Sequence, residues 1–503
     1  MGTQHANPTS TSPDHPEAPT HDAGSIRTRR VHLVGAGGSG MSGLAMMLHA
    51  QGVSVTGSDQ ADGPGLESVH AAGIPISLGP SKGGLPEDRD LVIHSAAIAH
   101  DHPELLEAQQ RSIETLSYAE ALGRAQGERT GISIAGTHGK STTTALLSWI
   151  LMDSGLDPSV IVGAHCPQLG GGWRVGSETV PGEGPFAGRS GLMICEACEF
   201  NRSFHHHRPV LGLINNVEED HLDVYAGIEE IVESFHQFAG LLPSADEGGY
   251  LLIAHDGAHR REVTAGLKCT IETFGYTPEA DWQVIFDEQR VQLIGPEGTP
   301  ELSWRPSMPG AHNASNAAAA AILAHRAGAS WPSIIAAIER FKGLDRRLQH
   351  LGRRELPGGG SVEVFDDYGH HPSEIEVILR AIRNTWNPDR LICVFQPHQH
   401  SRTRFLLEQF AASFTLADTV IVPHIHFVRD SEAERNRVSA GDLVDRLRAR
   451  GTTAMHIHPF EAIVEQLEVI CRDGDLVVVM GAGSVWEIGR DFVRTGPAAD
   501  SEA

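Results

Sequence analysis

The sequence is short of cysteine, of basic charge and of long apolar runs, and each shortage closes off a class of protein. Six cysteines spread over 503 residues are too few and too scattered for a disulfide framework. No apolar run approaches the roughly 20 residues that a membrane-spanning helix needs. Lysine and arginine number 39 against 64 aspartates and glutamates, a net charge of -25, so the chain lacks the clustered cations that nucleic acid or an anionic membrane demands. The expectation is a cytoplasmic protein with no nucleic-acid partner and no membrane insertion, either monomer or homodimer, in which any phosphate ligand is captured locally. Residues 1–29 are rich in Pro, Thr, Ser, His and Asp and lack the apolar segment of a secretory signal. They are expected to form a disordered tail, as are residues 496–503.

A chain of this length exceeds what one hydrophobic core supports, so two to four domains are expected. The short apolar run Val31-His32-Leu33-Val34 ends in Gly35-Ala36-Gly37-Gly38-Ser39-Gly40, followed by a helical stretch to Leu48 and the strand-like Val53-Ser54-Val55-Thr56. The same strand, turn and helix recur at Gly131–Ala135, Gly136–Lys140 and the apolar stretch around Leu146 to Leu151. Beyond Gly343–Arg347, Val362–Phe365, Leu391–Phe395 and Leu476–Met480 read as buried strands before polar or glycine-rich turns. Strands alternating with helices predict an α/β protein of parallel sheets that bind ligands beyond the carboxyl ends of their strands. The expected domains are 30–128, 129–344 and 345–495.

Gly136-Thr137-His138-Gly139-Lys140-Ser141-Thr142 carries the most chemical information. Backbone N–H groups freed by glycine can surround phosphate oxygens, Lys140 can neutralise them, and Ser141 or Thr142 can offer a hydroxyl to Mg²⁺. The spacing is shorter than the full Walker pattern, with two residues rather than four between the glycines, so a glycine turn that only admits a helix is the plainer alternative. Gly35, Gly37 and Gly40 fit G-x-G-x-x-G, with Asp59 placed to meet a ribose; nicotinamide binding, another pyrophosphate ligand and a structural turn all fit. Glu196 and His221 each follow an apolar strand and suit Mg²⁺ or Mn²⁺ completed by nucleotide oxygens, though alone either fits an ordinary surface group. Cys195 and Cys198 have zinc-like spacing but no second pair. His205-His206-His207 diverge in any regular element and read as a solvated loop. Asn313 and Asn316 share a helix face and either meet an adenine edge or cap the helix. Asp366-Asp367-Tyr368-Gly369-His370-His371-Pro372 and Phe395-Gln396-Pro397-His398-Gln399-His400-Ser401-Arg402 place acids, imidazoles and a guanidinium at strand ends, as charge stabilisers or as capped turns.

The order of these motifs, with Asp220-His221-Leu222-Asp223, His312-Asn313-Ala314-Ser315-Asn316 and Leu344-Asp345-Arg346-Arg347, resembles the Mur ligase family from about Arg30 to Val493. The resemblance implies three domains: an N-terminal Rossmann-like domain for a UDP-sugar, a central P-loop ATPase domain with a parallel sheet, and a C-terminal α/β domain for an amino acid. It implies ATP with Mg²⁺ or Mn²⁺ as cofactors and ADP-forming amide synthesis through an acyl-phosphate. Gly35, Gly37, Gly38, Gly40, Asp59 and Ser95 would serve the UDP-sugar. Gly136, Thr137, His138, Gly139, Lys140, Ser141 and Thr142 would hold the phosphates, Asn313 and Asn316 the adenine side, and Ser141, Glu196 and His221 the metal. Arg347 would clamp the γ-phosphate, with Asp367 and His370 closing over it. The Gly35–Leu44 run, Tyr368 with Gly369, and Phe-Gln-Pro-His resemble the member that joins L-alanine to UDP-N-acetylmuramate in cell-wall synthesis, with Arg402 on the acceptor carboxylate.

Two departures stand out: Cys198 where many members have Asp, and Gln399 where they have Arg. No lysine occurs between His221 and Leu241, so the carbamylated lysine that some members use is not expected. A murein-peptide ligase of the same fold is the nearest rival. A nicotinamide-dependent oxidoreductase leaves Lys140, Arg347 and Asp366 without a purpose, and a non-catalytic nucleotide switch does not need three ligand-lined domains.

Overall fold

The computed structural model describes residues 25–79, 84–221, 224–428 and 430–494. Three sheets follow one another along the chain. The first holds β1 (Arg30–Val34), β2 (Ser54–Asp59), β3 (Ile76–Leu78), β4 (Leu91–His94) and β5 (Glu114–Ser117) in the order β3-β2-β1-β4-β5, all parallel. Strand order reverses beside β1, so a crevice opens beyond Val34 and His94. The glycine turn leaves β1 at that point, and Ser95, whose N–H donates to the Val34 carbonyl at 3.0 Å, forms its other wall.

Ten strands form the second sheet: β6 (Thr130–Ala135), β7 (Ser159–Cys166), β8 (Gly171–Arg174), β9 (Leu192–Glu196), β10 (Pro209–Ile214), β11 (Tyr250–Ala254), β12 (Thr270–Gly275), β13 (Trp282–Asp287), β14 (Arg290–Ile294) and β15 (Leu302–Trp304). Their order is β15-β14-β13-β12-β11-β10-β6-β9-β7-β8. The expected parallel sheet is therefore only the middle of a mixed one: β14 and β15 pair antiparallel at one edge and β8 at the other. β6, buried along its whole length, lies between β9 and β10. This central position brings the turns after all three strands together. The helix Lys140–Asp153 packs on the alanine-rich helix Ala311–Ala327. Ala317 to Ala321 are all buried there, and their small side chains let two helices approach closely.

The third sheet contains β16 (Gln349–Glu355), β17 (Ser361–Asp367), β18 (Arg390–Phe395), β19 (Thr419–Val422), β20 (Thr453–His456) and β21 (Asp475–Met480), in the order β16-β17-β21-β18-β19-β20. Only β16 runs antiparallel to its neighbour. Residues 25–29, expected within the N-terminal tail, are instead packed. Ile26 is buried and its N–H donates to Glu128 at 3.2 Å, while Arg29 pairs with Asp90 and Glu114. Residues 1–24 and 496–503, the rest of both expected tails, lie outside the described residues, as does residue 495.

Candidate active site

β6 ends in Gly136, at φ 134°, and Gly139 stands at φ 79° immediately before the helix Lys140–Asp153. Only glycine adopts these values without strain, so the sequence builds a tight loop facing the helix's unpaired first-turn N–H groups. The loop is held from beside it. The Thr137 and His138 N–H groups donate to the backbone oxygen and side-chain Oδ1 of Asn216, at 3.2 and 2.7 Å. The Thr137 and His138 N–H groups are thus already committed to Asn216. Lys140 Nζ donates to the Glu199 carboxylate at 2.9 and 3.1 Å and back to the carbonyls of Gly136 and Thr137 at 2.6 and 3.0 Å. Burial opposes its charge, but Glu199 more than offsets this and holds the ammonium's pKa above its ordinary value.

Ser141 Oγ donates to Glu196 Oε1 at 3.1 Å, and Gly163 N donates to the other carboxylate oxygen at 2.8 Å. His221 Nε2 lies 3.6 Å from Glu199 and 3.7 Å from Asp220. Burial lowers its pKa, leaving the neutral imidazole a metal ligand needs. Its φ of 54° is a left-handed value, uncommon outside glycine, that histidine adopts more readily than most residues. Lys140, Ser141, Glu196, Glu199 and His221 line one cavity of about 370 Å³. A second cavity, of about 250 Å³, continues past His138 and Gly139 to Thr142, His312, Asn313 and Asn316. Asn316 Oδ1 accepts from Thr143 at 3.2 Å and Asn313 Nδ2 donates to Pro309 O at 2.8 Å. Both amides are therefore committed partly to structure while lining the cavity.

The third sheet supplies the opposite wall. Arg346 and Leu348 have φ of 60° and 48°, a double left-handed turn that swings Arg347 over Tyr368, 5.2 Å from the ring centre. Arg347 lines both cavities, 3.8 Å from Glu374. Asp367, at the end of β17, accepts from Leu348 N at 2.7 Å and Gly369 N at 2.6 Å. Burial raises its pKa to about 7 despite the nearby Arg347. His370 Nδ1 lies 3.1 Å from Tyr368 O, and burial pushes its pKa down to about 4. Arg402 is committed in this state: its guanidinium meets Asp220 at 3.0 Å, with both side chains at most a tenth exposed. Burial opposes the Asp220 charge, yet Arg402 pulls its pKa well below the carboxylate range. Asp220 lies in the turn after β10, so the pair ties the segment after β18 to the central domain.

In the first sheet the Asp59 carboxylate accepts from Gly37 N at 2.7 Å and from Gln60 N at 2.7 Å. It fastens the glycine turn, a structural use of this acid that the motif does not reveal. A Cβ on Gly40 would stand 2.7 Å from the Tyr118 ring, which accounts for the third glycine by packing. The three histidines 205–207 diverge as expected, but only His205 and His206 keep partial exposure and His207 is buried. His205 bonds Ser234 O at 2.9 Å, and buried His207 lies 2.9 Å from Ser133 Oγ with its pKa pushed down to about 3. Cys195 is buried and Cys198 exposed, so the pair does not converge on a metal.

Profiles described as Mur ligase family catalytic domain, Mur ligase middle domain and Mur ligase glutamate ligase domain match residues 30–129, 134–324 and 346–483. The chain belongs to the Mur ligase family. Among its relatives, the UDP-N-acetylmuramate--L-alanine ligases of Caldanaerobacter subterraneus subsp. tengcongensis and Clostridium novyi are each 36% identical, over 93% of this chain and 97% of theirs. The UDP-N-acetylmuramate-alanine ligase of Thermotoga maritima has the same fold, with a TM-score of 0.71 at 23% identity over 93% of this chain and 98% of that one. A murein peptide ligase of Psychrobacter arcticus shares it too, with a TM-score of 0.67 at 24% identity and the same coverage.

Four acids of this Mur ligase site were not singled out from the sequence: Glu199, Glu218, Asp220 and Glu374. Each pairs with an imidazole, ammonium or guanidinium from another segment. Glu199 stands three residues after Glu196, and Glu374 caps the helix that opens after His371-Pro372; these are the local signals that were available.

Proposed function

We infer that this Mur ligase couples ATP cleavage to joining L-alanine to the carboxylate of UDP-N-acetylmuramate, a step in peptidoglycan precursor synthesis carried out in the cytoplasm. One observation carries the chemistry. Lys140, Ser141, Glu196 and His221 from the second sheet face Arg347, Tyr368 and His370 from the third across one cavity. A carboxylate is a poor electrophile, so its oxygen must first take the γ-phosphoryl group of ATP; ADP leaves, and the amine of alanine then displaces phosphate. Two anions have to meet in the first step, which explains why an ammonium and a guanidinium line the same space. Helix N–H groups and Lys140 hold the phosphates, Arg347 reaches the transferred group, and the neutral imidazole of His370 stands beside it. The hydroxyl, carboxylate and neutral imidazole of Ser141, Glu196 and His221 suit Mg²⁺ or Mn²⁺, which would neutralise phosphate charge when bound.

Identity to alanine ligases over nearly the whole chain favours alanine as acceptor. The test is ADP release with UDP-N-acetylmuramate against a panel of amino acids and the murein tripeptide. L-alanine is expected to give the highest kcat/KM, and preference for the tripeptide would replace this reading with the peptide ligase.

A further inference from the structure

The best-formed candidate site for a soft divalent ion is not the Ser141, Glu196 and His221 set. Among the described residues, His138, Glu218 and His371 place one ligand atom each within 4.8 Å of one another. They come from three segments: the phosphate loop, the turn after β10, and the head of the helix Pro372–Trp386 that follows β17. An orphaned atom points to the site. The Nε2 of His371 is buried without a hydrogen-bond partner, His371 being 6% exposed as a residue, and the Nε2 of His138 meets only Glu218, beyond ordinary hydrogen-bond geometry. Burying a polar atom without a partner is costly, so the His371 nitrogen calls for an explanation.

The other nitrogen of each ring is supported. His138 Nδ1 lies 3.3 Å from Glu374, and His371 Nδ1 lies 3.1 Å from Ser373 Oγ and accepts the Ser373 N–H at 3.4 Å as the cap of its helix. Ser373 Oγ in turn donates to Glu218 Oε2 at 2.9 Å. With an ion on Nε2, each ring would carry its remaining proton on Nδ1, facing Glu374 or Ser373 Oγ, the arrangement that orients metal-bound histidines. His138 Nε2 stands 3.5 Å from Glu218 Oε2, close to the separation of two ligands on a tetrahedral ion of the zinc class.

We propose that His138, Glu218 and His371 form a second cation site, selective for zinc-class ions over Mg²⁺, that staples the phosphate loop to the third domain when filled. Two imidazoles and one carboxylate suit Zn²⁺, Co²⁺ or Ni²⁺ far better than a hard ion. Three protein ligands leave a fourth position for water. The proton that now balances the site sits on His138, which faces Glu218 from the turn after β10 and Glu374 and His371 from the third-domain helix. Burial opposes that proton, but the two glutamates raise the imidazole's pKa to about 10. The incoming ion displaces it, so affinity rises with pH. The site needs neither ATP nor an acceptor, and so stands or falls apart from the proposed ligase activity.

The test is Co²⁺ titration of the full chain in saturating Mg²⁺ without nucleotide, read by visible absorption. The expected result is one equivalent of intense four-coordinate bands, with proton release, displaced by Zn²⁺. Glu374→Gln should weaken binding about 10- to 100-fold by removing the support of His138, and His371→Ala should abolish the bands. Glu218→Gln, which keeps the side chain's shape, serves the same purpose if His371→Ala does not fold. His456→Ala, in the separate His424, His456 and His458 cluster, should leave the bands unchanged. Absence of four-coordinate bands, or bands that survive both Glu218→Gln and Glu374→Gln, overturns the assignment.

Discussion

Lys140→Ala separates the two tasks of that lysine. Its ammonium is about seven-eighths buried, at 12% side-chain exposure, and Glu199 is at 4%. Truncation leaves Glu199 in the interior with the neutral ring of His221, 3.6 Å away, as its nearest titratable neighbour. Removing one partner of a buried pair costs about 3–5 kcal/mol, because the charge left behind is uncompensated. For a domain of this size, about 2–4 °C is lost per kcal/mol, so the central domain should melt roughly 6–20 °C lower. Turnover at saturating ATP and Mg²⁺ should fall at least about 100-fold, the scale of losing one donor to developing charge. Lys140→Ala with Glu199→Gln removes the stranded charge and should regain most of the melting temperature without regaining turnover. Scanning calorimetry and initial rates of ADP formation read the two effects. A single variant as stable as the parent refutes the buried-pair argument, and undiminished turnover refutes the phosphate assignment.

Arg402→Ala should raise KM for the amino acid far more than for ATP or the UDP-sugar; equal shifts in all three would leave Arg402 only its tie to Asp220. Asp367 has a folded pKa of about 7 against an ordinary 3.8, so its protonated form favours the fold. That contribution is present below pH about 4 and is lost as pH rises through about 7. Urea midpoints should therefore fall from pH 5 to pH 8 in the parent, by a smaller amount in Asp367→Asn, and an equal fall in both contradicts the burial argument. Chelation of divalent ions should stop ligation and Mn²⁺ should restore it. Carbonate-depleted buffer should not slow the reaction, since no lysine lies between His221 and Leu241; dependence on added bicarbonate would count against this.

The strands that carry the site were legible because they are apolar runs ending in glycine or polar turns, as in Thr130–Ala135 before Gly136. The edges of the second sheet were not. β13, β14 and β15 alternate buried and exposed residues, the pattern of strands with one wet face, whereas βα repetition draws attention to continuous apolar runs. Asp59 shows a limit of motif reading. Its spacing from the glycines fits a ribose-binding acid, and the same spacing lets it accept the Gly37 N–H, a structural use that motif reading does not show. Glu199 and Arg402 were half visible: their positions beside motifs were plain, yet their partners lie 59 and 182 residues away. Pairings of that range depend on how the sheets dock, which local pattern does not encode.

The central claim is that the sugar carboxylate is activated as an acyl-phosphate before the amine attacks. A heavy-oxygen label in the carboxylate of UDP-N-acetylmuramate tests it directly, with the released phosphate read by mass spectrometry. Phosphoryl transfer to a carboxylate oxygen followed by amine attack carries one labelled oxygen into phosphate per amide formed. The account predicts that transfer at each turnover with L-alanine present. Amide formed alongside unlabelled phosphate would contradict it.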